Sequence, residues 1–131
     1  MNNLAVKWTE GYIVAASDGN FDVVCEETDY IDIGNFRRVQ VLVQFSSVNI
    51  TTTGPAFYLE SALTKEAMSR DGLEETVDSI AEVDATDDSC HFNLSDDDGS
   101  TPFYRYLRWR FAHVASCDFT IKFKITLLLK H

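Results

Sequence analysis

Apolar and polar residues alternate with a period of two through nearly every segment of this chain, and no stretch sustains the i, i+3, i+4, i+7 spacing of a long amphipathic helix. A period of two sends successive side chains to opposite faces of an extended backbone, so the chain is built to make sheets with one buried face. The pattern is clearest in Tyr104–Phe111 and Phe119–Leu129, which are long, aromatic and alternating. Joined through Ala112–Asp118, they read as paired strands of a hairpin. One register sets Phe111 opposite Phe119, Trp109 opposite Ile121, Leu107 opposite Phe123 and Arg105 opposite Ile125. The other face would then carry Arg108 opposite Lys122 and Tyr106 opposite Lys124, with Arg110 beside them.

The earlier segments follow the same rule. Tyr12–Ala16 and Phe21–Cys25 flank Ser17-Asp18-Gly19-Asn20, whose Asp-Gly pair is a hairpin signal. Ile31 and Ile33 lead through Gly34 into Arg38–Val48, where Val39, Val41, Val43 and Phe45 share one face of a central strand. Asn49–Pro55 reads as a turn closing on Gly-Pro. Phe57, Leu59 and Leu63 alternate with Tyr58, Glu60 and Ala62 in the next strand. Thr64–Glu75 is a surface loop with one helical turn, Val77–Val83 a strand of smaller residues, and His91–Leu94 a short strand between the acidic stretches Asp84–Asp88 and Ser95–Thr101. About eight or nine strands with short turns and no crossover helices predict an all-β, antiparallel two-sheet sandwich of jelly-roll kind, a closed barrel being the alternative. Its expected core is Val39, Val41, Val43, Phe45, Leu59, Leu107, Trp109, Phe111, Ile121, Phe123 and Ile125.

A chain of 131 residues, 45% hydrophobic and without linker or repeat, is the size of one domain, residues 1–131. Twenty-one acids against eleven Lys and Arg give a net charge of −10, which repels a nucleic-acid backbone. The N-terminus lacks a basic region followed by an apolar one, and no apolar run, Leu127–Leu129 included, comes near the length needed to span a membrane. Cytoplasmic synthesis without a signal peptide or membrane partner is the expectation. Cys25, Cys90 and Cys117 are odd in number and lack CxxC spacing, so neither a disulfide framework nor a four-cysteine zinc site is encoded. The histidines at 91, 113 and 131 are scattered. There is no HExxH and no GxSxG. The loop Asp96-Asp97-Asp98-Gly99 fails as a calcium hand, since Leu94 and Arg105 stand where that motif needs acids. No catalytic residue, cofactor or metal is predicted, and the expectation is a protein that is not an enzyme.

The run Phe103–Phe111 followed by Phe119–Ile125 resembles the aromatic-Arg-Tyr-aliphatic-Arg strand and the final strand of discoidin-like, galactose-binding-type jelly rolls. That resemblance covers about a quarter of the chain and implies a sandwich whose loops at one end bind sugars or lipids. The whole chain, acidic and almost entirely strand, is also similar in style to small accessory proteins of tailed-phage virions, the capsid-decorating and tail-associated sandwiches. That similarity implies a structural subunit located on the virion. Like charges facing each other on a sheet need an offset, either carboxylates on a neighbouring strand such as Glu60, Asp78 or Glu82, or an acidic partner. The candidate interface is therefore Tyr104, Tyr106, Arg108, Arg110, Lys122, Lys124 and Leu128, the last because it makes the final strand apolar on both sides near its end. The expected partner is a second copy or a larger assembly such as a capsid or tail, with carbohydrate as the alternative ligand.

Overall fold

A computed structural model describes residues 3–34, 36–69, 75–84, 89–95 and 104–130. Two antiparallel sheets of five strands pack face to face, which is the sandwich that the alternation predicts. In sheet A, β10 (Phe119–Lys130) lies between β5 (Arg38–Ile50) and an edge shared by β1 (Asn3–Lys7) and β2 (Ile13–Ser17), with β8 (Ser89–Ser95) beyond β5. Sheet B repeats the plan. There β9 (Tyr106–Ala112) lies between β6 (Ala56–Ala62) and an edge shared by β3 (Val23–Val24) and β4 (Ile31–Asp32), with β7 (Glu75–Ile80) beyond β6.

Every residue expected in the core is buried. The centre is aromatic: Trp109 meets Phe123 edge-on at 5.0 Å between ring centroids, Phe111 meets Phe123 at 5.0 Å, and Phe57 stacks on Phe92 at 6.0 Å. Each of these pairs joins one sheet to the other. They correct the expected hairpin, because β9 and β10 are not neighbours in a sheet. The segment between them, closed by the bridge Val114–Cys117, crosses the sandwich, and the strands face each other through the core. Alternation determines which side chains point inward and leaves open whether the partner lies beside the strand or above it.

The Ser17–Asn20 turn is corrected in the same way, since β2 pairs with β10 in one sheet and β3 with β9 in the other. Ser17 Oγ accepts from Gly19 N at 3.1 Å and donates to Phe21 O at 2.7 Å, which closes the arch. Gly19 has φ 91° and packs against the backbone of Ser116 and Cys117, so an added Cβ would lie 2.7 Å from Cys117 N.

Two bulges change the phase of the alternation. Phe45 pairs with Phe123 but Ser47 with Lys122, so Ser46 is an extra residue and Val48 and Ile50, not Ser47 and Asn49, turn toward the core side. In β7, Leu59 opposes Asp78 and Glu60 opposes Thr76, which leaves Val77 extra and buried. Gly54 sits where the chain runs against Val83, whose N–H donates to Pro55 O at 2.8 Å. Leu63, expected on the core face, is 65% exposed, because β6 ends at Ala62 and the chain turns into helix α1 (Lys65–Ser69). Thr64 Oγ1 caps that helix by accepting from Ala67 N at 3.0 Å, and Met68 is driven fully inside over sheet B.

Candidate interaction surface

Sheet A contains no aspartate or glutamate in any of its five strands, in a chain with twenty-one of them. Along β10 the odd positions from Phe119 to Leu129 are buried, so Thr120, Lys122, Lys124, Thr126, Leu128 and Lys130 form the outer row. On one side this row meets Arg38, Gln40, Leu42, Gln44 and Ser47 of β5, and on the other Ala5 and Lys7 of β1 and Val14 and Ala16 of β2. The outer face of sheet A is therefore cationic, with Lys7, Arg38, Lys122, Lys124 and Lys130 and no acid on its strands. Among the described residues, Lys7, Lys122, Lys124 and Lys130 make no ion pair. Val14 is 60% exposed beside Lys122, and the Lys124 ammonium sits 4.8 Å from the centre of the half-exposed Tyr12 ring.

The outer face of sheet B handles its charge differently. Arg108 and Arg110 of β9 flank Glu60 of β6, whose carboxylate is 2% exposed. Glu60 accepts from Arg108 Nε at 2.8 Å and from Arg110 Nη2 at 3.1 Å. Arg108 Nη1 also donates to Met68 O at 2.8 Å, and Arg110 Nη1 to Asp22 Oδ2 at 3.0 Å with its guanidinium stacked on Tyr58. The helical turn α1 closes over this network, which is why a glutamate on an outward position is buried.

Burial pushes the Asp22 carboxyl upward, but the backbone and ring of His113 and the Arg110 guanidinium outweigh it and hold Asp22 below the usual carboxylate range. A carboxyl held low in the fold contributes stability that is present above its unfolded pKa, about 3.9, and lost as pH falls through the lower folded value. The melting midpoint should fall below about pH 4, and Asp22→Asn should make that acid decline shallower in a pH series of thermal melts.

The expected interface residues thus divide. Tyr106, Arg108 and Arg110 lie on the outer face of sheet B, with the Tyr106 ring beside Arg105. Tyr104 precedes β9, its N–H donating to Ser61 Oγ. Lys122, Lys124 and Leu128 lie on the outer face of sheet A, on the opposite side of the molecule. The single basic face expected from the hairpin does not exist, because its two strands belong to different sheets. Lys7, Arg38, Lys130, Tyr12 and Val14 were missed, although the lack of acids in these segments was legible in the sequence.

A second feature is a cleft of about 310 Å³ lined by Trp8, Thr9, Glu10, Ile13, Asp29 and Trp109. Two of its neutral side-chain groups are spent on the fold: Trp8 Nε1 donates to Asp29 O at 2.7 Å, and Thr9 Oγ1 accepts from Ile125 N at 3.2 Å and donates to Gly11 O at 2.7 Å. None of the three cysteines is in a disulfide, and burial pushes the Cys25 thiol up to about 12. Among the described residues no group of three or more His, Cys, Asp or Glu is placed to hold a metal. The acidic stretches 85–88 and 96–98 lie outside the described residues. No described helix is long and apolar enough to cross a membrane.

No protein-family model and no curated protein matches the sequence. Among solved structures, the chain is similar to the K2 cleaved adhesin domain of Lys-gingipain, at a TM-score of 0.48 and 8% identity, over 96% of this chain and 99% of that one.

Proposed function

We propose that this β-sandwich is a non-enzymatic subunit of a larger protein assembly and that it docks through the outer face of sheet A onto an acidic protein surface. The observation that carries this reading is the absence of acids from one sheet: a chain of net charge −10 keeps all five strands of sheet A free of Asp and Glu. Uncompensated like charges on one sheet oppose folding, and a partner of opposite charge removes that penalty while steering the encounter. Exposed Val14 and Tyr12 supply apolar contact within the cationic field. A capsid-decorating or tail-associated role on a tailed phage is the finer form of this proposal, in keeping with the style of the sequence.

Fractionation of an extract from the cells or particles that make the protein tests it. The protein should sediment with a large particle at low salt and be released as salt rises, since screening shortens the reach of exposed charges. Sedimentation as a free single subunit in low salt overturns the proposal. Carbohydrate binding is the second reading, favoured by the two tryptophans of the Trp8–Trp109 cleft. It ranks lower because the indole N–H of Trp8 and the hydroxyl of Thr9 are already committed to backbone groups.

A further inference from the structure

The surface complementary to sheet A is present on the same chain. Between Asp18 and Asp32 lie six acids, Asp18, Asp22, Glu26, Glu27, Asp29 and Asp32, with no Lys or Arg among them. Asp22 and Asp32 are used internally, by Arg110 and His113 and by Arg105. Asp18, Glu26, Glu27 and Asp29 are exposed and make no ion pair among the described residues. Four unpaired carboxylates on this segment thus match four unpaired lysines on sheet A.

The apolar groups match as well. Phe21 is 50% exposed and Val24 36% exposed within the acidic segment, while Val14 and Tyr12 stand exposed among the lysines. Val24 pairs with Arg110, which places it on the outer face of sheet B, across the sandwich from Val14. Asp18 lies in the arch from β2 to β3 and Asp29 borders the Trp8–Trp109 cleft, so the segment runs along the edge of the sandwich, and its four exposed carboxylates, which among the described residues make no ion pair with lysines of their own chain, are open to those of a neighbour.

Resting on the proposed assembly role, we infer that the occupant of the sheet A face is the Asp18–Asp32 segment of a second copy, docked head to tail. Such a contact is heterologous, so repetition gives a ring or an open row of subunits rather than a closed two-fold dimer. Charge pairing across it sets orientation and disfavours the face-to-face arrangement of two cationic sheets.

Two double variants of the full chain test this, Lys122→Glu/Lys124→Glu on the face and Glu26→Lys/Glu27→Lys on the segment. Circular dichroism melts should first show both folded as the wild type is. In sedimentation equilibrium at about 0.05 M salt, the wild type should grow in mass with concentration, and association should weaken about tenfold or more at about 0.5 M. Each variant alone should be monomeric at low salt. An equimolar mixture should associate again, because the intact segment of one meets the intact face of the other, and the two reversed surfaces, Glu on the face and Lys on the segment, are again opposite in charge.

A wild type that stays monomeric at low salt up to about 0.1 mM, where even weak specific contacts register, overturns the inference. So does a segment variant that associates like the wild type. If the purified chain is monomeric yet sediments with a large particle in extract, this inference fails while the assembly role stands. If it fails in both, the assembly role falls too.

Discussion

Replacing Glu60 with alanine should cost about 3–5 kcal/mol of folding stability, because it strips two arginines of the buried carboxylate between them. Glu60 is 2% exposed, and the side chains of Arg108 and Arg110 are 11% and 22% exposed, so water cannot readily take its place. Arg108 would keep Met68 O, and Arg110 would keep Asp22 and the Tyr58 ring, which limits the loss without cancelling it. Chemical denaturation should show a lower midpoint with an unchanged slope. An exposed ion pair is worth about 0–1 kcal/mol, so a loss in that range would mean that the network is wet and α1 does not cover it.

The second large effect is Trp109→Ala, expected to cost about 3–5 kcal/mol as a large-to-small change in a packed core. Trp109 is 7% exposed and holds edge-on contacts with Phe111 at 5.9 Å in its own sheet and with Phe123 at 5.0 Å in the other. Its removal therefore opens space between the sheets, where neither can collapse to fill it. Domains of this kind are stable by about 5–15 kcal/mol in total, so the variant should be marginal at room temperature. A loss below about 1 kcal/mol would place Trp109 on the surface and contradict the face-to-face packing of β9 on β10.

The two substitutions probe what was and was not legible in the residues. The inward set on β5, β9 and β10 follows from alternation alone, and all of it is buried. The pairing of β9 does not follow, since a strand with Leu107, Trp109 and Phe111 on one face packs as well beneath another strand as beside it. The sequence did hold a clue. A hairpin would have set Arg108 against Lys122 without a carboxylate, whereas the sandwich sends those cations to opposite outer faces and gives Arg108 the partner Glu60. Glu60 was legible as a carboxylate available to Arg108, but its burial was not, because the cover comes from Met68 on a helix too short to announce itself by periodicity.

The bulge at Ser46 marks another limit, since one extra residue reverses the faces of everything after it and no composition signal accompanies it. The cationic face lay within reach. Five strands without a single acid can be counted in the sequence, but only the order of sheet A brings them onto one surface.

That surface is the centre of the account, and amine footprinting tests it most directly. Lysines of the protein in its fast-sedimenting fraction would be acetylated briefly, and the labelling compared with that of the same protein released by salt. Lys7, Lys122, Lys124 and Lys130 on sheet A should be protected in the assembled state, while Lys65, exposed on α1 over sheet B, should label equally in both. Equal labelling of the sheet A lysines in the two states, or protection confined to Lys65, would contradict the account.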